Sequence, residues 1–193
     1  MRIGYGWDSH EFKPGVTLKI GGVSFDHPKG LAGHSDGDIL LHALTDALLG
    51  AIAAGDIGTF FPPSDPQWKG ADSSVFVAEA LRQVNAAGFR VANVDSTLIL
   101  AEPKIVPHAA RIRQRMAELL GIKASEIGVK AKTPEGMGTD NAAIAHVVVL
   151  LTRGRGKRTR RKAAVMVSQN DVDEIAKKVI EQASPARPGR SRN

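Results

Sequence analysis

The sequence predicts an α/β fold (α+β layered), in which helices pack on one face of a mixed sheet of about four main strands, beside a small hairpin. Segments with the helical repeat of apolar residues alternate along the chain with short segments rich in β-branched residues. The last of these, AAIAHVVVLL at 142–151, is apolar enough to lie buried in the middle of a sheet. The 193 residues suffice for one domain with a substantial core.

The chain begins with a short glycine-punctuated segment at 1–7, which predicts a first strand. The segment VTLKIGGVSF at 16–25 follows, and it predicts a hairpin that turns at Gly21 and Gly22. Two glycines between apolar, β-branched segments are typical of such tight turns. The sequence therefore predicts one strand and one hairpin before the first helix.

The stretch from His34 to Gly55 predicts that helix, with Ser35 as its N-cap and Asp38 in the reciprocal capping position. Its leucines form a wide apolar surface. Asp38, His42 and Asp46 are four residues apart and therefore line one face of the helix. This polar ridge must face water, a salt-bridge partner or a site.

The remaining elements alternate between helix and strand. They are a proline-rich loop at 56–66, a helix at 71–87, a strand at 91–101, a helix at 107–120, a strand at 127–132 and a turn-rich loop at 133–138. The helix at 71–87 should direct four apolar side chains inward: Val75, Val77, Leu81 and Val84. The arginines of the next helix should form a solvated face: Arg111, Arg113 and Arg115.

The positive charge of the chain is confined to its last forty-one residues. Residues 1–152 contain 14 Lys and Arg against 16 Asp and Glu, whereas residues 153–193 contain 12 against 4. We therefore predict a domain at 1–152 and a basic extension at 153–193, with a helix over 167–183 and a disordered end. The basic charge could bind RNA or an anionic membrane, but the extension has no aromatic residues for base stacking, which favours a solvated segment.

Composition excludes two kinds of site and favours one compartment. Without cysteine the chain has neither a disulfide framework nor a thiolate metal site. The first ten residues lack an apolar signal core, and no apolar run reaches the roughly 18 residues of a membrane span. These features predict a cytoplasmic protein without a membrane span.

Two histidines and an aspartate suggest a metal site. Asp8 and His10 are two residues apart in a predicted strand, so their side chains point the same way. With His42 they have the chemistry of a zinc shell that leaves one position open, and Asp46 could steer a ring N–H of His42. A surface Asp–His pair and a hydrogen-bonded helix histidine are the alternatives.

The start of the long helix supports the same idea. His34 precedes it, where free backbone N–H groups favour anions. Asp36 and Asp38 lie at the same end and would repel a phosphate unless a cation accompanied it. Acidic residues and histidines at a helix start therefore suggest a metal first and a phosphate second.

Five segments resemble those of one enzyme family. They are GYGWDSH, LAGHSDGDILLHALTDALLGAIAAGDIGTFFPPSDP, KGADS, NVDSTLILAEPKIVPH and VKAKTPEGMG. Together they resemble the 2-C-methyl-D-erythritol 2,4-cyclodiphosphate synthases of the non-mevalonate route to isoprenoids. The resemblance covers roughly residues 1–138 and fits less well to residue 152.

The resemblance implies a homotrimer with active sites between neighbouring subunits. It implies a phosphorus–oxygen lyase that acts on 4-diphosphocytidyl-2-C-methyl-D-erythritol 2-phosphate. The 2-phosphate attacks the β-phosphorus, CMP leaves and a cyclic diphosphate forms. A metal phosphohydrolase and a non-catalytic homologue that binds metal and nucleotide are the alternatives.

The resemblance also implies roles for individual residues. Asp8, His10 and His42 would hold Zn²⁺ or another divalent transition metal, and Glu135 would contact a Mg²⁺ or Mn²⁺ ion on the diphosphate. His34 and Thr133 would stabilise the transition state. The substrate would contact Asp8, Ser9, His10, His34, Ser35, Asp56, Ile57, Gly58, Phe61, Pro62, Pro63, Ser64, Asp65, Leu100, Ala101, Glu102, Pro103, Lys104, Ile105, Val106, Lys132, Thr133, Pro134 and Glu135, with residues 100–106 around the cytidine.

The chain departs from the family pattern after Gly138. Members commonly continue with Phe-x-Gly-Arg-x-Glu-Gly, whereas here the run 139–143 is TDNAA. That Phe and Arg line a central trimer cavity that can hold an isoprenoid diphosphate, so their loss argues against this ligand here. Lys132 stands where Thr is usual, and Pro63 where Asp is usual. We hypothesise that Lys132 supplies phosphate-binding charge that the missing Arg would have given.

Overall fold

The computed structural model describes residues 1–154. The predicted helix over 167–183 and the disordered end lie outside the described residues, and the domain boundary at 152 stays a prediction. The strands are β1 Arg2–Pro14, β2 Leu18–Ile20, β3 Val23–Phe25, β4 Lys29–Leu31, β5 Phe89–Ile99, β6 Ile127–Lys132 and β7 Ala142–Arg153. The helices are α1 Ile39–Ala51, α2 Ile57–Phe60, α3 Ser74–Ala86 and α4 Ala109–Leu120, with 3₁₀ turns at Pro66–Trp68, Val106–His108 and Ala124–Glu126.

The main sheet has five strands in the order β4-β1-β7-β5-β6, and β2 and β3 form a separate hairpin. β5 and β6 are parallel, whereas the other neighbouring strands are antiparallel. The mixed sheet and the hairpin at Gly21 and Gly22 are confirmed; both glycines have positive φ, as a two-residue turn of this kind requires. The fifth strand, β4, has only three residues.

Within residues 1–154, the helices cover one face of the sheet. α1 packs on β1 and β7, and α3 and α4 pack on β5 and β6. β7 lies in the centre of the sheet as predicted, and its residues alternate between buried on the helix side and partly exposed on the other. On the open face Ile3, Tyr5, Trp7 and Val148 are 42–72% exposed.

Two glycines allow α1 to lie unusually close to β1. A Cβ atom at Gly4 would be 1.8 Å from the carbonyl oxygen of Ala47, and one at Gly6 would be 1.9 Å from that of Ala43. Any larger residue would push the helix away, because backbone atoms cannot yield as a flexible side chain can. The glycines that punctuate the first strand therefore fix the helix–strand distance beside Asp8.

The helix α1 is shorter than the predicted 34–55, and Asp38 rather than Ser35 is its N-cap. The Asp38 side chain accepts hydrogen bonds from the backbone N–H groups of Leu41, Gly21 and Gly22. Asp38 is fully buried, and burial raises its pKa. The three N–H donors favour the carboxylate and lower the pKa, but their effect is smaller. Asp38 ties the start of α1 to the hairpin turn and does not face the cleft.

Two further expectations are corrected. β1 does not end at residue 7, because its pairing with β7 continues through Glu11 and its last residues pair with β4. In α3, Val75 is exposed and Phe76 is buried in its place. Among the described residues, no helix combines the length and the apolar character needed to cross a bilayer.

Candidate active site

Asp8, His10 and His42 converge as the sequence suggested. The Oδ2 atom of Asp8 lies 3.0 Å from Nε2 of His10 and 3.0 Å from Nδ1 of His42. One ligand atom from each residue lies within 4.8 Å of the other two. Tetrahedral coordination with bonds of ~2.0 Å places ligand atoms about 3.3 Å apart, so these three atoms fit one metal ion.

Regular elements position the three side chains. Asp8 and His10 lie two residues apart on the face of β1 that carries Gly4 and Gly6, which is the face turned to α1. His42 lies on the first turn of α1. Because the glycines bring α1 onto β1, the imidazole of His42 reaches the carboxylate of Asp8.

The surroundings of the three residues favour a bound cation. Burial alone would raise the pKa of Asp8, but hydrogen bonds with His10 and His42 hold that pKa well below its usual range. Among the described residues, the second ring nitrogen of His10, Nδ1, is buried without a hydrogen-bond partner. A carboxylate and two imidazoles offer the oxygen and nitrogen ligands that a divalent transition metal accepts.

The prediction that Asp46 steers a ring N–H of His42 is wrong. The hydroxyls of Ser35 and Ser73 both lie 2.9 Å from Nε2 of His42. Asp46 instead accepts a 2.7 Å hydrogen bond from the backbone N–H of Ile57. It thereby holds the loop after α1 against the cleft, and burial raises its pKa.

Asp8, His10 and His42 line a cleft, which we call the metal cleft. The structure brings several predicted substrate residues to it: His34, Ser35, Ile57, Gly58, Phe61 and Pro63. Trp68 and Phe76 complete its wall, and both rings pack against Phe61. The metal cleft therefore combines three possible metal ligands with an apolar aromatic side.

A second cleft lies elsewhere on the chain, and we call it the β6 cleft. Its lining contains Leu100, Pro103, Lys104, Ile105, Val106, Ala131, Lys132, Thr133 and Glu135. The Thr133 hydroxyl donates a hydrogen bond to the carboxylate of Glu135. The structure thus brings the predicted cytidine segment at 100–106 together with the predicted catalytic loop at 133–138. Neither segment lines the metal cleft of the same chain.

Eight predicted substrate residues line neither cleft: Ser9, Asp56, Pro62, Ser64, Asp65, Ala101, Glu102 and Pro134. Some of them organise the loops that carry the lining residues. Asp56 caps α2 by accepting from the backbone N–H and the hydroxyl of Thr59, and the hydroxyl lowers its pKa. Asp65 caps the following 3₁₀ turn.

Sequence reasoning missed three residues that border the metal cleft: Trp68, Ser73 and Phe76. Ser73 belongs to KGADS, one of the five segments that resemble the family, but the resemblance implies no role for it. It is fully buried beside His42. Its place in a segment that resembles the family was the available signal, although only the fold shows that its hydroxyl faces His42.

Comparison with known proteins gives one consistent result. The YgbB family model matches residues 1–152. A 2-C-methyl-D-erythritol 2,4-cyclodiphosphate synthase of Koribacter versatilis (strain Ellin345) is 61% identical over 153 residues, which are 79% of this chain and 99% of the relative. A relative of the same name from Moorella thermoacetica is 49% identical over 160 residues, which are 81% of this chain and 98% of the relative.

Solved structures agree with the sequence comparison. A 2C-methyl-D-erythritol-2,4-cyclodiphosphate synthase with bound CDP is 42% identical, with a TM-score of 0.74 over 78% of this chain and 100% of that chain. The chain belongs to the YgbB family, and with it to the 2-C-methyl-D-erythritol 2,4-cyclodiphosphate synthases that its sequence motifs predict.

Proposed function

We propose that this chain converts 4-diphosphocytidyl-2-C-methyl-D-erythritol 2-phosphate into 2-C-methyl-D-erythritol 2,4-cyclodiphosphate and CMP. The observation that carries this proposal is the convergence of Asp8, His10 and His42 in a cleft of a chain 61% identical to a synthase of that name. CDP in a related solved structure supports a cytidine nucleotide as ligand. The reaction makes the chain a phosphorus–oxygen lyase of isoprenoid biosynthesis, and we place it in the cytoplasm.

The reaction requires no side-chain nucleophile. An oxygen of the substrate's 2-phosphate attacks the β-phosphorus, a P–O bond forms, and the bond between the β-phosphorus and the bridging oxygen breaks. CMP leaves with that oxygen and its electron pair. Because the attacking phosphate is already anionic and tethered, catalysis requires positioning and neutralisation of phosphate charge.

The residues of the two clefts match this requirement. Asp8, His10 and His42 would hold Zn²⁺, and Glu135 would contact a Mg²⁺ or Mn²⁺ ion that accompanies the diphosphate. Bound divalent cations polarise phosphoryl oxygens and offset their charge. His34 stands exposed at the mouth of the metal cleft, and Thr133 lines the β6 cleft, so each can hydrogen-bond a phosphoryl oxygen there.

A homotrimer with active sites between subunits explains why the site is divided. The two clefts of one chain share no lining residue, although the reaction needs both sets. The open sheet face also carries an apolar group, Ile3, Tyr5, Trp7 and Val148, which a neighbouring copy would cover. Native mass spectrometry should therefore give a trimer, and a stable monomer would contradict the divided site.

The decisive experiment is incubation of the full chain with the cytidyl substrate, Zn²⁺ and Mg²⁺. CMP and the cyclic diphosphate should appear in equal amounts. Mass spectrometry and phosphorus NMR measure both products. CMP with an open-chain product would indicate a metal phosphohydrolase instead. Metal and nucleotide binding without turnover would indicate a non-catalytic homologue, although the close relatives do not favour it.

A further inference from the structure

We propose that Ser73, Asp36 and Lys19 are positioning residues that hold His42 in the ring tautomer whose Nδ1 is free to bind the metal ion. The inference rests on the metal site of the proposed function. It concerns three residues that touch neither the metal position nor the β6 cleft. Their action would pass through hydrogen bonds to the ring of His42.

A continuous set of hydrogen bonds joins the three residues to His42. Nε2 of His42 lies 2.9 Å from the Ser73 hydroxyl. That hydroxyl donates a 2.5 Å hydrogen bond to Oδ1 of Asp36. The ammonium group of Lys19 donates to Oδ2 of Asp36 at 3.0 Å.

The charges at the outer end fix the direction of these bonds. An ionised carboxylate only accepts hydrogen bonds, and the Lys19 ammonium only donates them. Asp36 must therefore take the one proton of the Ser73 hydroxyl, which leaves lone pairs of that oxygen facing His42. The hydrogen bond with Asp36 raises the pKa of Lys19, so the ammonium keeps its charge.

This direction determines the tautomer of His42. Because the Ser73 oxygen can only accept, Nε2 of His42 must carry a proton, and the neutral ring then has its lone pair on Nδ1. Ser35 lies at the same distance from Nε2 and can share that proton. Ser73 is fully buried and the Asp36 side chain is 11% exposed, so water cannot readily replace either partner.

The consequence appears on the other side of the ring. Nδ1 of His42 and Oδ2 of Asp8 lie 3.0 Å apart. Without a metal ion, the Asp8 carboxylate can only accept a proton from Nδ1, so the hydrogen bond between them requires one there. A metal ion between the two atoms would replace that Nδ1 proton, and the Nε2 proton accepted by Ser73 would then keep the ring in the tautomer that binds the ion.

The experiment compares metal affinity in three variants of the full chain. Ser73→Ala removes the acceptor for Nε2–H, and Asp36→Ala frees the Ser73 proton to point at Nε2 and favour the other tautomer. We expect both to bind Zn²⁺ and Co²⁺ at least about 10-fold more weakly, measured by chelator competition and by Co²⁺ absorption. Asp36→Asn keeps an oxygen that can accept the Ser73 proton, so it should recover most of the loss.

Asp72→Asn is the matched control. Asp72 contacts the same Lys19 ammonium at 3.1 Å but is exposed, and its carboxylate accepts from the backbone N–H of Ser74 rather than from the Ser73 hydroxyl. It should leave metal affinity unchanged. In the zinc-loaded protein, the Nε2 proton of His42 should exchange slowly with solvent and faster in Asp36→Ala, which a purely structural role would not require.

The outcomes separate this inference from the proposed function. Unchanged affinity in Ser73→Ala and Asp36→Ala, with zinc still bound tightly by the unaltered chain, would refute the positioning role alone. An equal loss in Asp72→Asn would do the same, since charge rather than hydrogen-bond direction would then be responsible. An unaltered chain that binds neither metal would remove the metal site itself. Circular dichroism of every variant verifies that it folds.

Discussion

The metal cleft and the β6 cleft are built in opposite ways. The metal cleft takes its ligands from the strand β1 and the helix α1, which two glycines hold in contact, and its three ligand atoms already lie together. The β6 cleft takes its polar residues from a strand end and a loop, where Lys132, Thr133 and Glu135 are exposed. One chain therefore brings the three possible metal ligands together by itself, whereas the residues that we propose for phosphate and nucleotide lie in a separate cleft.

The largest expected effect comes from removing a metal ligand, which should change zinc content only when the change lies in the metal cleft. Asp8→Asn replaces the shared carboxylate by an amide of equal size and should lower kcat/KM about 10³-fold, because one anionic ligand of the cation is lost. Zinc content should fall with it. Zinc analysis and CMP release, measured on the same preparation, test this.

Glu135→Gln is the matched change in the β6 cleft. It should also abolish most of the activity, yet zinc content should stay at the level of the unaltered chain, because Glu135 lies in the other cleft. Loss of zinc in Glu135→Gln would show that the two clefts are not independent in one chain.

The next effect tests whether neighbouring copies join the two clefts. Asp8→Asn and Glu135→Gln should each be inactive alone, but together they should regain activity after they are unfolded and refolded as a mixture. In a ring of copies with random mixing, a site draws both intact halves in roughly a quarter of cases, so roughly a quarter of full activity should return. That is more than 100-fold above the Asp8→Asn parent.

Mixing without refolding is the control, since intact oligomers should exchange slowly. Activity that stays at the level of the parents after refolding, with oligomers of both variants present by mass spectrometry, would show that each chain works with its own two clefts. The divided site would then be abandoned.

A smaller effect tests why the metal cleft is complete in one chain. Gly6→Ala places a Cβ atom 1.9 Å from the backbone oxygen of Ala43, so α1 must move away from β1. We expect a loss of about 1–3 kcal/mol in the free energy of unfolding, together with weaker zinc binding. Urea unfolding and chelator competition measure the two.

Gly50→Ala provides the comparison for that variant. Gly50 lies in the same helix, where an added Cβ atom would come no closer than 3.9 Å to any atom outside its chain neighbours and the backbone of α1. Alanine there should stabilise the protein by about 0.5–1 kcal/mol, because glycine is a poor helix residue. If both variants behaved alike, close helix–strand packing would not be what holds the metal cleft together.

Local patterns predicted the elements well, because each depends on its own residues. The alternation in β6 gave Ile127–Lys132, and paired glycines gave the hairpin. The start of α1 was harder, since Ser35 and Asp38 are both good N-caps. Asp38 is used because it also accepts hydrogen bonds from the backbone N–H groups of Gly21 and Gly22 in the hairpin. These glycines are 17 and 16 residues away, so no local pattern contains the contact.

The site shows the same division. Spacing placed Asp8 and His10 on one side of a strand, but nothing local joined them to His42; the family resemblance supplied that, and Gly4 and Gly6 supply its physical cause. Asp46 was assigned to the ring of His42 because the two lie one turn apart. The hydroxyls of Ser35 and Ser73 contact the ring instead, and Ser73 comes from the start of α3, far along the chain.

The smallest effect concerns Lys132, where the family usually has threonine. Lys132 lines the β6 cleft beside Thr133 and Glu135 and is exposed. A positive charge there should attract a substrate that carries three phosphate groups, so Lys132→Thr should lower kcat/KM about 10-fold, mainly through KM, and less at high salt. Steady-state kinetics at two ionic strengths test this.

Lys130→Thr makes the same change two residues earlier on β6. Lys130 pairs with Asp95 on the neighbouring strand and does not line the cleft, so its loss should leave the kinetics unchanged. If Lys132→Thr and Lys130→Thr gave equal kinetics, Lys132 would be an ordinary surface charge. A fall confined to Lys132→Thr would instead show that Lys132 gives the β6 cleft phosphate-binding charge.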